Sequence, residues 1–318
     1  MRLSDKKLAQ SELESYRRPE MTPTYLPIRS LTSAVFLSLL AAYAPLQAEI
    51  AVKSGEKIAF LGDSITAAGA SNPAGYVRLV IAGLAANGVN AEAVPAGISG
   101  HKSNQMLARL EKDVLAKKPQ WMTLSCGVND VWHGAKGVPL DDAQAAASAY
   151  VTNPNEPEKG TYTKNITAIV ESAQASGVKP VVLTATVIKE DLKSPENEKL
   201  APYNAFLRRL AADKKLPLAD LNAQFQDKLK ARNSEDKKNA FTSDGVHMNA
   251  EGNKLMARGV LMAFGLNAGE LQKAEASWAP LVAQAEEAAK AAAAAKAAKA
   301  AADAAAKAAE AAKAPNGK

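Results

Sequence analysis

The chain has little cysteine, few aromatics and few histidines. Cys126 is the one cysteine in 318 residues, so no intrachain disulfide can form, and sulfur chemistry says nothing for or against export. Histidine occurs three times, as His101, His133 and His247, with no cysteine clustered beside any of them, so no metal site is expected. There is no GxxxxGK[ST] and no GxGxxG, so no nucleotide or other cofactor is expected either. The formal charge of +6 comes from basic residues scattered among acids. No Arg-rich, aromatic-interleaved patch appears, and a nucleic-acid partner is not expected. The apolar run Leu31–Ala44 (LTSAVFLSLLAAYA) is too short to span a membrane comfortably.

That run has Arg29 before it and Leu46-Gln47-Ala48 after it, the pattern of a secretory signal peptide cut near Ala48. The leader is long, and Met21 is an alternative start that gives a signal of about 21–48. The expectation is a secreted or periplasmic protein, with an uncleaved anchor as the alternative. No cysteine follows the run, which excludes a lipoprotein anchor. The apolar fraction is 47%, inflated by Ala near the C-terminus, so the core is expected in the middle of the chain. Three segments result: 1–48 as leader and signal peptide, 49–266 as the folded domain, and 267–318 as an Ala/Lys-rich helical tail. The tail has no large apolar residue at heptad spacing, so it is expected as a single exposed helix of about 50 Å, solvated or in contact with the cell envelope.

Between Ala51 and Leu266, strand and helix patterns alternate. Strands are expected at Lys57–Leu61, Ala91–Val94, Trp121–Ser125, Val181–Thr184 and, weakly, Leu216–Leu221. Helices are expected at Gly75–Asn87, Ser103–Ala116, Tyr162–Ser176, Pro202–Lys214 and Asn249–Phe264. Repeated β-α-β of this kind predicts a parallel sheet covered by helices on both faces. Gly134–Gly160 is a long polar excursion after the third strand, either a surface loop or a lid.

The first strand ends in Gly62-Asp63-Ser64. A serine just past the carboxyl end of a buried strand stands where open α/β sheets bind ligands. It is therefore a candidate nucleophile, with a helix N-cap as the alternative. A nucleophilic serine needs a base, and His247 supplies one, with Asp244 three residues upstream across a turn at Gly245. That spacing lets the carboxylate hold Nδ1–H and leaves Nε2 free to take the proton from Ser64. Gly100, after the second strand, offers a backbone N–H and Asn129, after the third, a side-chain amide, both suited to an oxyanion. In a parallel sheet these points meet at one edge.

In this order, Gly62-Asp63-Ser64-Ile65, Gly97-Ile98-Ser99-Gly100, Gly127-Val128-Asn129-Asp130 and Asp244-Gly245-Val246-His247 resemble the four blocks of the SGNH hydrolases, the GDSL esterase and lipase superfamily. The resemblance covers about Lys57 to Phe264. It implies a flavodoxin-like three-layer α/β/α sandwich with a central parallel five-stranded sheet. It also implies Ser64 as nucleophile, His247 as base, Asp244 as its partner, and Ser64 N–H, Gly100 and Asn129 as oxyanion donors. Pro95 stands where the family's second block often has Asn. His101, Trp132 and His133 are candidate substrate contacts. Asp63 either tunes the site or stabilises the turn, and Cys126 reads as a small buried residue. The function implied is a serine esterase acting through an acyl-enzyme on short-chain, first of all acetyl, esters of carbohydrate. With no long apolar cap and aromatics at 5%, a lysophospholipase or thioesterase-like enzyme is the alternative. A non-catalytic envelope-binding module is the reading from a different class.

Overall fold

The apolar runs become five strands: β1 (Lys57–Gly62), β2 (Glu92–Gly97), β3 (Trp121–Ser125), β4 (Lys179–Leu183) and β5 (Leu218–Ala219). The computed structural model describes residues 49–133, 136–147, 160–232 and 239–313. The expected signal peptide, most of the Gly134–Gly160 excursion and the end of the tail lie outside them. All pairings are parallel, in the order β2-β1-β3-β4-β5. Ile58, Ala59, Phe60 and Leu61 are fully buried, as a strand covered on both faces requires. β2 is an edge strand, which explains how Pro95, paired with Phe60 in register, is tolerated without a backbone N–H.

The order fixes the layers. The chain leaves β1 toward β2, then returns across β1 to β3 and onward, and right-handed crossovers in opposite directions put their helices on opposite faces. One face carries α2 (Tyr76–Ala86), packed against α9 (Ala250–Ala263) and α10 (Ala268–Ala276), with α8 (Leu221–Lys230) beside α9. The other carries α3 (Ser103–Asp113), α6 (Tyr162–Ala175) and α7 (Pro195–Asp213). The result is the expected α/β/α sandwich. The direction of travel reverses between β1 and β3, the point where such sheets open a crevice.

Several boundaries differ from expectation, each for a local reason. β1 runs directly into α1 (Ser64–Ser71), with Asp63 as its N-cap accepting from the N–H of Ile65 at 2.9 Å. The capping role weighed for Ser64 thus falls to Asp63. α4 (Val128–Trp132) and α5 (Asp142–Ala147) are too short to show a periodicity. α7 begins at Pro195, not at Pro202, because Ser194 caps it and Pro195 fits the first turn; Pro202 is carried inside the helix. β5 is only two residues long.

The largest difference concerns the tail. Leu271, Ala274 and Trp278 are buried in the same core as the sheet, and the Trp278 indole donates to the carbonyl of Leu79 at 2.9 Å. The Asn87 amide reaches the Glu270 carbonyl from the same helix pair. The chain is therefore packed through Trp278, past the boundary expected after Leu266. Beyond it runs α11 (Ala279–Lys313), exposed from Glu286 to Ala305. Trp278→Ala is expected to cost about 3–5 kcal/mol, the usual range for emptying a core indole site. Deleting residues 290–318 is expected to leave the thermal midpoint unchanged. Melting curves of the two variants check both statements.

Candidate active site

Gly62 of β1 pairs with Gly97 of β2, and Leu61 pairs with Leu124 of β3, so the three strands end level with one another. Three loops therefore leave the sheet at one edge. Gly97 has no room for a side chain, because the backbone of α1 at Thr66 and Ala67 passes directly against it. Ser64 opens α1, and its N–H is one of those a helix start leaves without an intrahelical partner.

Four residue groups converge here. Ser64 Oγ lies 2.9 Å from His247 Nε2, and His247 Nδ1 lies 2.7 Å from Asp244 Oδ2. The other Asp244 oxygen accepts from the N–H groups of Val246 (3.0 Å) and His247 (2.8 Å). Burial works against the charge on Asp244, but these hydrogen bonds outweigh it and bring its pKa down to about 2. The carboxylate is thus ionised wherever the imidazole needs it. Asn129, buried, directs Nδ2 at the carbonyl of His101 (3.2 Å), which sets its amide beside the Gly100 loop. Gly100 has φ 77°, the left-handed region open to glycine, and is exposed to the approach.

Three residues support the site; Arg109 and Glu190 have no signature in the sequence, and Asp130 stands in the third block with no role given to it. Arg109, buried on α3, donates to the carbonyls of Gly62 and Ala96, each at 2.8 Å, and so ties together the ends of β1 and β2. Its Nε–H also reaches His101 Nδ1 at 3.1 Å, which places the proton of a neutral His101 on Nε2. Burial first, then the Arg109 charge, lowers the pKa of His101. Glu190, almost wholly buried, accepts from the N–H groups of Ala240, Phe241 and Thr242 and from the Thr242 hydroxyl, all at 2.7–2.8 Å. With the Lys189 N–H on the Gly245 carbonyl, it clamps the loop that carries Asp244 and His247. Asp130 accepts from the Ser103 N–H and hydroxyl, joining the third block to the start of α3.

The other candidates separate. Trp132 is 40% exposed at the rim and leans on the ring of His133, 5.8 Å away. His133 holds the Asn129 amide oxygen. Cys126 is buried, and burial first, then Asp130 and Asp63, pushes its thiol up, so it is inert. Asp63, next to Ser64 in the chain, is buried, and burial, outweighing the Ile65 N–H, raises its pKa to about 6.

The folded state therefore keeps the Asp63 proton to about pH 6, while the unfolded chain releases it near 3.8. Stability from this group is present at low pH and is lost as pH rises from about 4 to about 6. Asp63→Asn is expected to flatten that slope, by at most about 3 kcal/mol, in denaturant titrations at the two ends of the window. Glu190→Ala strips the acceptor from three backbone N–H groups and is expected to destabilise the fold by about 3 kcal/mol in the same assay.

Residues 60–255 match the GDSL-like lipase/acylhydrolase family. An acetylxylan esterase of Geobacillus stearothermophilus is 28% identical over 233 residues, 67% of this chain and 96% of that one. Among solved structures, the acetyl xylan esterase AlAXEase is 30% identical with a TM-score of 0.55, covering 65% of this chain and 98% of its own. Axe2, an acetylxylan esterase from G. stearothermophilus, is 27% identical with a TM-score of 0.54, covering 68% and 97%. Structures of Axe2 with alanine at a serine, an aspartate, or a histidine three positions beyond that aspartate are described as catalytic mutants. By its matched residues, its sheet and the order of its four blocks, this chain belongs to the GDSL-like lipase/acylhydrolase family and is a carboxylic ester hydrolase.

Proposed function

We propose that this protein is an exported serine esterase that removes acetyl and other short acyl groups from carbohydrate. The observation that carries the reading is the continuous hydrogen-bonded line from Ser64 through His247 to Asp244 at the carboxyl edge of the sheet. In the reaction, His247 Nε2 takes the hydroxyl proton as Ser64 Oγ attacks the ester carbonyl. Asp244 holds Nδ1–H and stabilises the imidazolium that forms. The negative oxygen of the tetrahedral intermediate is met by the Ser64 N–H, the Gly100 N–H and Asn129 Nδ2. Collapse passes the proton from His247 to the sugar oxygen and leaves Ser64 acylated. Water, activated by His247, then releases the acid.

Three observations support a small acyl group on a large alcohol. The apolar rim is short: among the described residues, the exposed large hydrophobics are Ile98, Trp132 and Met262, and the first two adjoin the oxyanion loops. The site is open, with the Asp244 side chain half exposed. The relatives are named as acetylxylan esterases. Export rests on the apolar run and the small residues before Glu49.

Ser64→Ala and His247→Ala are each expected to lower kcat by roughly 10⁵-fold or more without changing the melting temperature. Asp244→Asn, which offers Nδ1 the wrong partner, is expected to cost about 10⁴-fold. In a p-nitrophenyl ester series from acetyl to decanoyl, turnover is expected to be confined to acetyl and propionyl. A peak at long chains would move the enzyme to lipid esters, and no turnover at any length by the folded protein would leave a binding module.

A further inference from the structure

Asn129 has three polar neighbours, and together they allow its amide one orientation. Nδ2 faces Asp63 Oδ2 at 3.3 Å and the His101 carbonyl at 3.2 Å, while Oδ1 faces His133 Nε2 at 3.2 Å. Turned over, the amide oxygen would meet a carbonyl that cannot donate and a carboxyl that cannot donate once ionised. His133 Nε2 must then carry the proton. Burial, followed by the charges of Lys102 and Lys136, lowers the pKa of His133, so the neutral ring has one N–H to give and Asn129 Oδ1 receives it.

We propose that His133 is the positioning residue of the oxyanion site: its Nε2–H fixes the Asn129 amide with the nitrogen toward Asp63 and the His101 carbonyl, the chain neighbours of Ser64 and Gly100. A hydrogen bond to the amide oxygen also draws electron density from the nitrogen, and so strengthens the N–H that rests on Asp63 Oδ2 and must turn from it to the negative charge as that develops. The inference rests on the oxyanion role given to Asn129 above. It replaces the substrate contact first expected of His133, whose ring is already committed to Asn129 on one side and Trp132 on the other. Trp132 keeps its exposed face for the substrate.

A double-mutant cycle in the full chain tests this, with p-nitrophenyl acetate and an acetylated xylo-oligosaccharide as parallel substrates. His133 is exposed, so its variants keep the fold. His133→Ala, and His133→Phe, which keeps the bulk but not the donor, are each expected to lower kcat roughly 10-fold on both esters, with KM unchanged. In an Asn129→Ala background they are expected to add nothing. Parental kcat in His133→Phe would overturn the proposal, as would a loss confined to KM for the oligosaccharide, or full additivity with Asn129→Ala. Parental activity in Asn129→Ala itself would remove the oxyanion role of Asn129, a failure read without any His133 variant.

Discussion

One hydrogen bond joins Ser64 to His247 across 183 residues of chain, and the rest of the fold sets the two atoms 2.9 Å apart. Neither residue is held by its immediate neighbours alone. Ser64 is fixed by β1, by the Asp63 cap and by the helix it opens. His247 sits on a loop with little secondary structure of its own, closed by the short bridge between Thr242 and Met248. Asp244 holds the N–H groups of Val246 and His247 from within the loop, and outside contacts add to that. Glu190 supplies them by gathering three successive N–H groups on one carboxylate. On the other side of the site, Arg109 does the corresponding work with two carbonyls at the ends of β1 and β2. One buried carboxylate and one buried guanidinium, each bonded to backbone groups and to side chains such as Arg232 and Asp113, thus hold the two halves of the site in place.

What could be read from the sequence follows from where the information resides. Gly62-Asp63-Ser64, Gly100, Asn129 and the Asp244–His247 pair are contiguous with strand ends or with each other, so residue type and order suffice to assemble them. Arg109 and Glu190 resemble any charged residue on a surface helix or loop. Their roles arise from which carbonyls and N–H groups the tertiary fold brings to them, and no spacing encodes that. The same holds for His133, which looks like a rim residue in sequence and is a neighbour of the Asn129 amide in space. The missed start of α7 is a different case. Ser194, Pro195 and the following acids were a legible N-terminus, but the competing Pro202 concealed it. In the tail, two widely spaced large residues, Leu271 and Trp278, among alanines were enough to dock a helix on the core.

The site is also arranged in charge. Asp63 and Asp130, the chain neighbours of Ser64 and Asn129, are both buried, and burial raises both. Two fixed anions there would oppose the charge that develops in an acyl transfer. Burial opposes those charges, while hydrogen bonds from Ile65 and Ser103 pull the other way, and with that from Asn129 they make the two carboxyls anchors for donors. Asp244 is the opposite case: held low and partly solvated, it keeps its charge and faces the ring of His247. Carboxyls of one chemical type thus serve different ends because their surroundings differ.

The central claim is that Ser64 carries the acyl group between two half-reactions. The most direct measurement is mass spectrometry of the protein quenched within the first turnovers of an activated acetyl ester, followed by peptide mapping. The account predicts one added acetyl group, on the peptide containing Ser64, appearing before free acid accumulates and absent in Ser64→Ala. Acetylation at another residue, or turnover in Ser64→Ala with no acyl-enzyme, would contradict it.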